Sequence, residues 1–274
     1  MKAIRTLLCL SVASIYPSLN SQASPLYQDG FNYTAGDQLG TASTTPPWTG
    51  TPNPNSVIGS GNLTYSGLQD LGGNDLILNS GASQGAPESA ALSSSITTGS
   101  VYYSFLVQCT SLPSANTYLT ALTPASKPGP NGNTTDALDF YARNSGSGWE
   151  VGLRTSAGSA TFGSTVLSLN TTYLVVLEYT FNGSATLYLD PTAGGSQPAA
   201  TLTQTPTSWV TDVSDVGFKA QTATTIGNFL FDNMMVGTTW ADVTPVPTAT
   251  PEPGTLALSG LGVIGLIAAR RLRR

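Results

Sequence analysis

Histidine does not occur in this chain of 274 residues. Its absence excludes a Ser-His-Asp or Cys-His nucleophile system, in which an imidazole carries the proton. It also excludes the usual His-containing zinc sites. Cysteine cannot replace them, because the chain has two cysteines, Cys9 and Cys109. Cys9 lies in an apolar N-terminal stretch with no small residues just before it, so it does not read as a lipoprotein site. Cys109 is then left without an internal partner, and its place after an apolar run fits a buried, inert thiol. Cations are scarce as well. Between residues 24 and 250 there are four, Lys127, Arg143, Arg154 and Lys219, against fourteen carboxylates, a net charge of −10. Such a surface cannot neutralise many phosphates, which excludes nucleic acid as a partner. It also repels an acidic polymer unless a divalent cation bridges the two. Helical periodicity is missing away from the two ends.

The ends carry the long apolar runs. Lys2 and Arg5 precede an apolar stretch from Leu7 to Ile15, and Ser21-Gln22-Ala23 supplies small residues at a cleavage point after Ala23. This is the pattern of a secretory signal peptide over residues 1–23. At the other end Pro251-Glu252-Pro253 leads into an apolar run from Thr255 to Ala269, closed by Arg270-Arg271-Leu272-Arg273-Arg274. Fifteen helical residues reach ~22 Å, short of the ~30 Å of a bilayer core, so the run is a minimal span. The terminal arginines stay cytoplasmic and leave the rest of the chain facing outward. Residues 244–250, rich in Pro and Thr, predict a stiff exposed linker before residues 251–274.

Residues 24–243 suit one domain of short strands joined by polar turns. The clearest strand is Tyr173–Phe181. Tyr173, Val175, Leu177, Tyr179 and Phe181 share one face by the two-residue period, and Leu174 and Val176 make the other face apolar at its start. Asn182-Gly183 follows and predicts a two-residue type I′ hairpin. Similar alternation appears at Val101–Val107, Ala137–Arg143, Trp149–Arg154, residues 213–219 and Phe229–Met235. Many short strands of even spacing predict an all-β sandwich or jelly roll.

The tail resembles the PEP-CTERM sorting signal of Gram-negative bacteria that make extracellular polysaccharide. The match is Pro251-Glu252-Pro253, the apolar run and Arg270, Arg271, Arg273 and Arg274. The resemblance implies an exosortase-type membrane protease as partner. It would hold the chain at the inner membrane through a C-terminal helix, remove the tail, and pass the protein to the outer surface or the extracellular matrix. The domain resembles the laminin-G-like, concanavalin A-like sandwiches that often precede such tails. Tyr27–Gly36, Thr172–Phe181 with Leu187–Pro191, and Phe231–Trp240 carry that likeness. Glu178 and Asp190 depart from its pattern, which has lysine and asparagine there. The implied fold is a jelly-roll sandwich with no transferable catalytic residues and no cofactor.

Three chemistries remain. Related sandwiches include glycosidases, and retaining hydrolysis needs two carboxyls ~5–5.5 Å apart. The glutamates are far apart in sequence, and Asp136 with Asp139 and Asp212 with Asp215 are the nearest acidic pairs. Their spacing suits turns or calcium at least as well, so the chain does not read as an enzyme. Glycan binding by stacking is the better idea. Trp48, in a loop after Pro46-Pro47, is the best exposed candidate, with Tyr141 and Trp149 beside it, although packing is the favoured reading of both tryptophans. Trp240 belongs to the closing motif and reads as structural. For calcium, the candidate ligands are Asp70, Asn74 and Asp75 on a Gly-rich turn, with Asp232-Asn233 as a second place. Asx residues in turns more often cap backbone groups.

Overall fold

The structure, a computed structural model, describes residues 24–42, 48–79, 87–129, 135–155, 158–219 and 226–247. The expected signal peptide and sorting segment lie outside the described residues. In chain order the elements are β1 (Tyr27–Asp29), α1 (Leu39–Ala42), β2 (Thr49–Gly50), β3 (Ser56–Ile58), β4 (Leu76–Asn79), β5 (Glu88–Ile96), β6 (Ser100–Ser111) and β7 (Thr117–Thr123). They continue with β8 (Leu138–Ser145), β9 (Gly148–Thr155), β10 (Thr161–Phe162), β11 (Thr172–Thr180), β12 (Ala185–Leu189), β13 (Leu202–Gln204), β14 (Val213–Phe218), β15 (Asn228–Gly237) and α2 (Trp240–Val243).

The strands form two antiparallel sheets. One has eight strands in the order β13-β12-β11-β6-β15-β4-β3, with β1 added beside β15, and the other has seven in the order β10-β9-β8-β7-β14-β5-β2. The all-β sandwich expected from the sequence is what the chain forms. Its core lies between the sheets, where period-two alternation aims Phe105, Phe140, Trp149, Phe218, Phe229 and Phe231 inward. Phe105 contacts Phe140 across the two sheets with ring centroids 5.0 Å apart, and Trp149 meets Phe229 at 5.5 Å. These edge-on contacts add to the burial that holds the layers together.

The Asn182-Gly183 hairpin forms between β11 and β12 by a different turn. Only Asn182 has a positive φ, 56°. Gly183 donates its N–H to Thr180 O, and Thr180 N–H bonds Ser184 O. The connection is therefore three residues long, and Phe181 lies in the turn rather than the strand.

β15 is the central organiser. Its first half pairs with β4 and its second half with β1, while β6 runs along its other edge with a register shift between Asp232 and Met235. The bulge falls at Asn233, whose φ is 52°. Its two side chains clamp a long excursion of the chain. Asp232 Oδ2 accepts from Leu63 N–H at 2.8 Å, Asn233 Oδ1 accepts from Leu71 N–H at 2.8 Å, and Asn233 Nδ2 donates to Gln69 O at 2.8 Å. The excursion lays Leu63 and Leu68 on the outer face of the eight-stranded sheet, against Leu106, Leu174, Val176 and Met235.

After β15 the chain turns through α2. Thr239 caps it and Asp242 completes the capping box. Thr244 and Pro245, expected to open an exposed linker, are instead built into the domain. Gly194 N–H bonds Thr244 O at 2.8 Å and Gln69 N–H bonds Pro245 O at 2.8 Å.

Candidate functional site

The outer face of the seven-stranded sheet is built on cross-strand rows. Asp139 of β8 lies between Arg154 of β9 and Ala121 of β7, with Gly217 of β14 and Ser89 of β5 beyond. One row on, Tyr141 pairs with Gly152, which pairs with Phe162 of β10. Gly152 is what allows Phe162 to lie against the sheet: a Cβ there would sit 2.6 Å from the ring. Tyr118, Tyr141 and Phe162 thus form an aromatic row, with centroid spacings of 5.7 and 6.4 Å.

Two guanidiniums lie on that row. The Cζ of Arg143 is 4.5 Å from the Phe162 centroid, and that of Arg154 is 5.1 Å from Tyr141. Each is fixed by a carboxylate. Arg143 Nε donates to Glu150 Oε2 at 2.6 Å, where Ser145 also donates to Oε1 at 2.7 Å. The Ser145 hydroxyl, and then Arg143, hold the Glu150 carboxyl below its ordinary range. Arg154 Nε donates to Asp139 Oδ2 at 2.6 Å. Burial pushes the Asp139 carboxyl well up, the neighbouring Asp136 adds to this, and Arg154 opposes it. Tyr118 and Tyr141 are buried in this row, and half-buried Phe162 and Arg143 are its accessible members, with the guanidinium already oriented. The four cations of the described residues, Lys127, Arg143, Arg154 and Lys219, all lie on this sheet or its connections.

The sequence candidates separate here. Tyr141 belongs to this face and retains 7% of its surface. Trp48 and Trp149 do not belong to it. Trp48 is buried among Tyr27, Phe31 and Phe218, and its Nε1–H donates to Asp29 Oδ2 at 2.8 Å. Its loop position hid a partner nineteen residues upstream that satisfies the indole inside the core. Trp149 is fully buried between the sheets. Neither ring can stack on a ligand. Asp136 and Asp139 are buried to 0% and 1% exposure, out of reach of a substrate in solution. Phe162, Arg143 and Arg154 were missed; the alternation places the arginines on the face opposite Leu138 and Phe140, but nothing local pairs them with an aromatic row. Cys109 is buried, donates to Ser111 O, and its thiol is pushed up to about 12 by burial.

The Gly-rich turn is committed to internal hydrogen bonds, most of them to backbone groups. Asp70 Oδ1 accepts from Gly72 N–H at 2.7 Å and Oδ2 from Asn62 Nδ2 at 3.1 Å; Asn74 Nδ2 donates to Tyr33 O at 2.7 Å; Asp75 Oδ1 accepts from Gly61 N–H at 3.3 Å. Among the described residues no group of three metal-ligating side chains forms. The glycines serve close packing, since a Cβ on Gly73 would lie 2.1 Å from Gly30 O. Burial, reinforced by Asp70 and Asp75, pushes the Asp232 carboxyl up to about 8. A cavity of about 270 Å³ lies between Ser24, Gln28, Leu71, Met235 and Asp242, and its one carboxylate is spent on the α2 cap.

Outside the described residues the chain speaks through its sequence. The PEP-CTERM protein-sorting motif matches residues 249–274. The chain ends in a PEP-CTERM sorting motif. The motif marks the protein for export and surface sorting, and it implies recognition by an exosortase, a membrane protease. Among the described residues no helix is long and apolar enough to cross a membrane, and the apolar run of the motif lies beyond them. No curated protein matches the chain. Among solved structures it is similar to the calreticulin globular domain of T. cruzi, at 15% identity and a TM-score of 0.48, covering 87% of this chain and 99% of that one. It is similar to the ligand-binding domain of botulinum neurotoxin serotype D, solved with N-acetylneuraminic acid (11%, TM-score 0.43, covering 76% and 47%). It is also similar to the sialidase of Trypanosoma rangeli, solved with the inhibitor DANA (14%, TM-score 0.45, covering 76% and 30%). The chain spans less than half the length of these last two.

Proposed function

We propose that this is a non-enzymatic surface or extracellular-matrix protein of a Gram-negative bacterium. In this reading an exosortase removes the tail, and the sandwich then associates with extracellular polysaccharide. The sorting motif at residues 249–274 carries the reading. The signal-peptide pattern at the other end supports it, since both ends then serve export. The buried state of Asp136 and Asp139 supports a binding role over hydrolysis, because cleavage needs an accessible carboxyl pair. The polysaccharide-facing surface in this reading is the rim of the seven-stranded sheet, where half-buried Phe162 and the anchored guanidinium of Arg143 are the accessible groups and Tyr141 lies buried behind them.

Deleting residues 251–274 is expected to leave the protein at a different address from the wild type in cell fractionation. Mass analysis of the mature form should show a C-terminus near residue 251. A mature protein that still ends in the Arg270–Arg274 cluster would overturn the sorting reading. The polysaccharide reading stands or falls on co-sedimentation of the mature form with the host's extracellular polysaccharide. Phe162→Ala is expected to weaken that retention several-fold.

A further inference from the structure

Glu178 stands on β11 on the outer face of the eight-stranded sheet, paired with Tyr102 of β6 and Thr186 of β12. Its carboxylate is the centre of a built cluster. Oε1 accepts from Tyr102 OH at 2.9 Å, Ser100 Oγ at 3.0 Å and Thr180 Oγ1 at 3.3 Å. Oε2 accepts from Tyr188 OH at 2.9 Å and from Gln197 Nε2 at 2.8 Å. Four of these donors sit on or beside strands of one sheet and are fixed by its register. The fifth, Gln197, is an exposed residue of the connection between β12 and β13. Trp240 closes one side, edge-on to Tyr188 at 5.1 Å and to Tyr102 at 6.3 Å, with its Nε1–H on Gly195 O.

The Gln197 amide is held at both ends. Its N–H donates to Glu178 and to Tyr188 OH, and its C=O faces Tyr102 OH at 3.5 Å. A carboxylate opposite an N–H and an indole alongside suit the N–H edge of an amide group. A single exposed side chain fills this place, on a connection that turns through Gly194 at φ 67°.

We propose that this cluster binds the acetamido group of 2-acetamido sugars, and that Gln197 is an internal stand-in which the ligand displaces. The acetamido N–H takes the place of the Gln197 N–H on Glu178. The acetamido methyl group lies against Trp240, while the Tyr102 and Tyr188 hydroxyls keep their protons on Glu178 and hold its carboxylate in place. Burial, with the adjacent Glu178, pushes the Tyr102 hydroxyl up to about 12, and burial does the same for Tyr188, so both remain neutral donors at any working pH. The site lies on the opposite sheet from Tyr141 and Phe162. It rests on the reading that the domain meets polysaccharide, and adds which sugars it selects.

The test is calorimetric titration of the full-length chain in detergent micelles with triacetylchitotriose and with cellotriose, which differ in carrying acetamido or hydroxyl groups at C2. Binding of the acetylated trisaccharide, about tenfold or more tighter than cellotriose, is expected, because a hydrogen bond to a charged group is worth ~1.5–3 kcal/mol. Gln197→Ala should tighten binding several-fold by removing the internal competitor, an effect that a purely structural glutamine would not give. Glu178→Gln should abolish the preference, with thermal unfolding checked in parallel. Equal affinity for the two trisaccharides, no binding of the acetylated one, or weaker binding in Gln197→Ala would overturn the proposal. So would equally tight binding of an N-acetylated dipeptide amide. Phe162→Ala serves as the separate arm: unchanged polysaccharide retention there, with the trisaccharide preference intact, would count against the seven-stranded face alone.

Discussion

The two sheets share one core and differ in what covers them. The eight-stranded sheet is roofed by its own chain: the 60–72 excursion and the segment through α2 to Pro245 bury Leu106, Leu174 and Val176 beneath them. None of the cations among the described residues lies on it. The seven-stranded sheet carries a smaller buried cluster, Tyr118, Ala121 and Tyr141, with half-buried Phe162 and two paired arginines against it. The difference teaches that an outward strand position has no fixed chemistry. It becomes core where the chain returns over it, as at Leu106, and stays part-exposed at the rim, as at Phe162 and Arg143.

Substitutions can break this contrast. Leu106→Ala, under the roof, is expected to cost ~2–5 kcal/mol in denaturant unfolding, as a buried leucine does. If it cost no more than Phe162→Ala, the distinction between a roofed and an open face would fail. A second prediction concerns pH. Glu88, fully buried under the sheet edge, is pushed up to about 7 by burial, and Asp232 to about 8. Their ordinary values are 4.5 and 3.8. The folded chain therefore holds protons that the unfolded chain has released between about pH 4 and pH 8. Stability is fully present below that window and falls as pH rises through it. The Tm is expected to be higher at pH 5 than at pH 8. Glu88→Gln should flatten the slope by on the order of 3 kcal/mol between those limits; an unchanged slope would show that Glu88 does not titrate in this window.

Smaller effects probe the open face. Phe162→Ala, half-buried over Gly152, is expected to cost ~1 kcal/mol or less in stability while weakening polysaccharide retention. Arg143→Ala should change stability by less than ~1 kcal/mol, because its side chain is 41% exposed and its ion pair with Glu150 is screened. A stability loss comparable to that of Leu106→Ala would mean that Arg143 holds the sheet together rather than presenting a donor.

Legibility followed range along the chain. The β11 strand, the Cys109 thiol and the apolar alternation of Phe140 and Trp149 were readable because each depends on neighbours one or two residues away. The hairpin at Asn182-Gly183 was readable as a turn but not in its type, since Ser184 pairing with Thr180 decided its length. Trp48 is packed, as the favoured reading has it, but the partner of its indole was not legible, because Asp29 reaches it through the fold rather than along the strand. Phe162 and Gln197 carried no local signal at all.

The sequence by itself determined the class and the destination: alternating short strands make a two-sheet sandwich, and the sorting motif is a linear signal that works without a fold. The tertiary structure alone decided which outward residues are surface and which are interior. Burial and hydrogen-bond satisfaction depend on what returns from sixty or a hundred and sixty residues away, as Leu63 does to Asp232. The Glu178 cluster has the same origin, since strands β6, β11 and β12 and the Gln197 connection meet only once the sheet has formed.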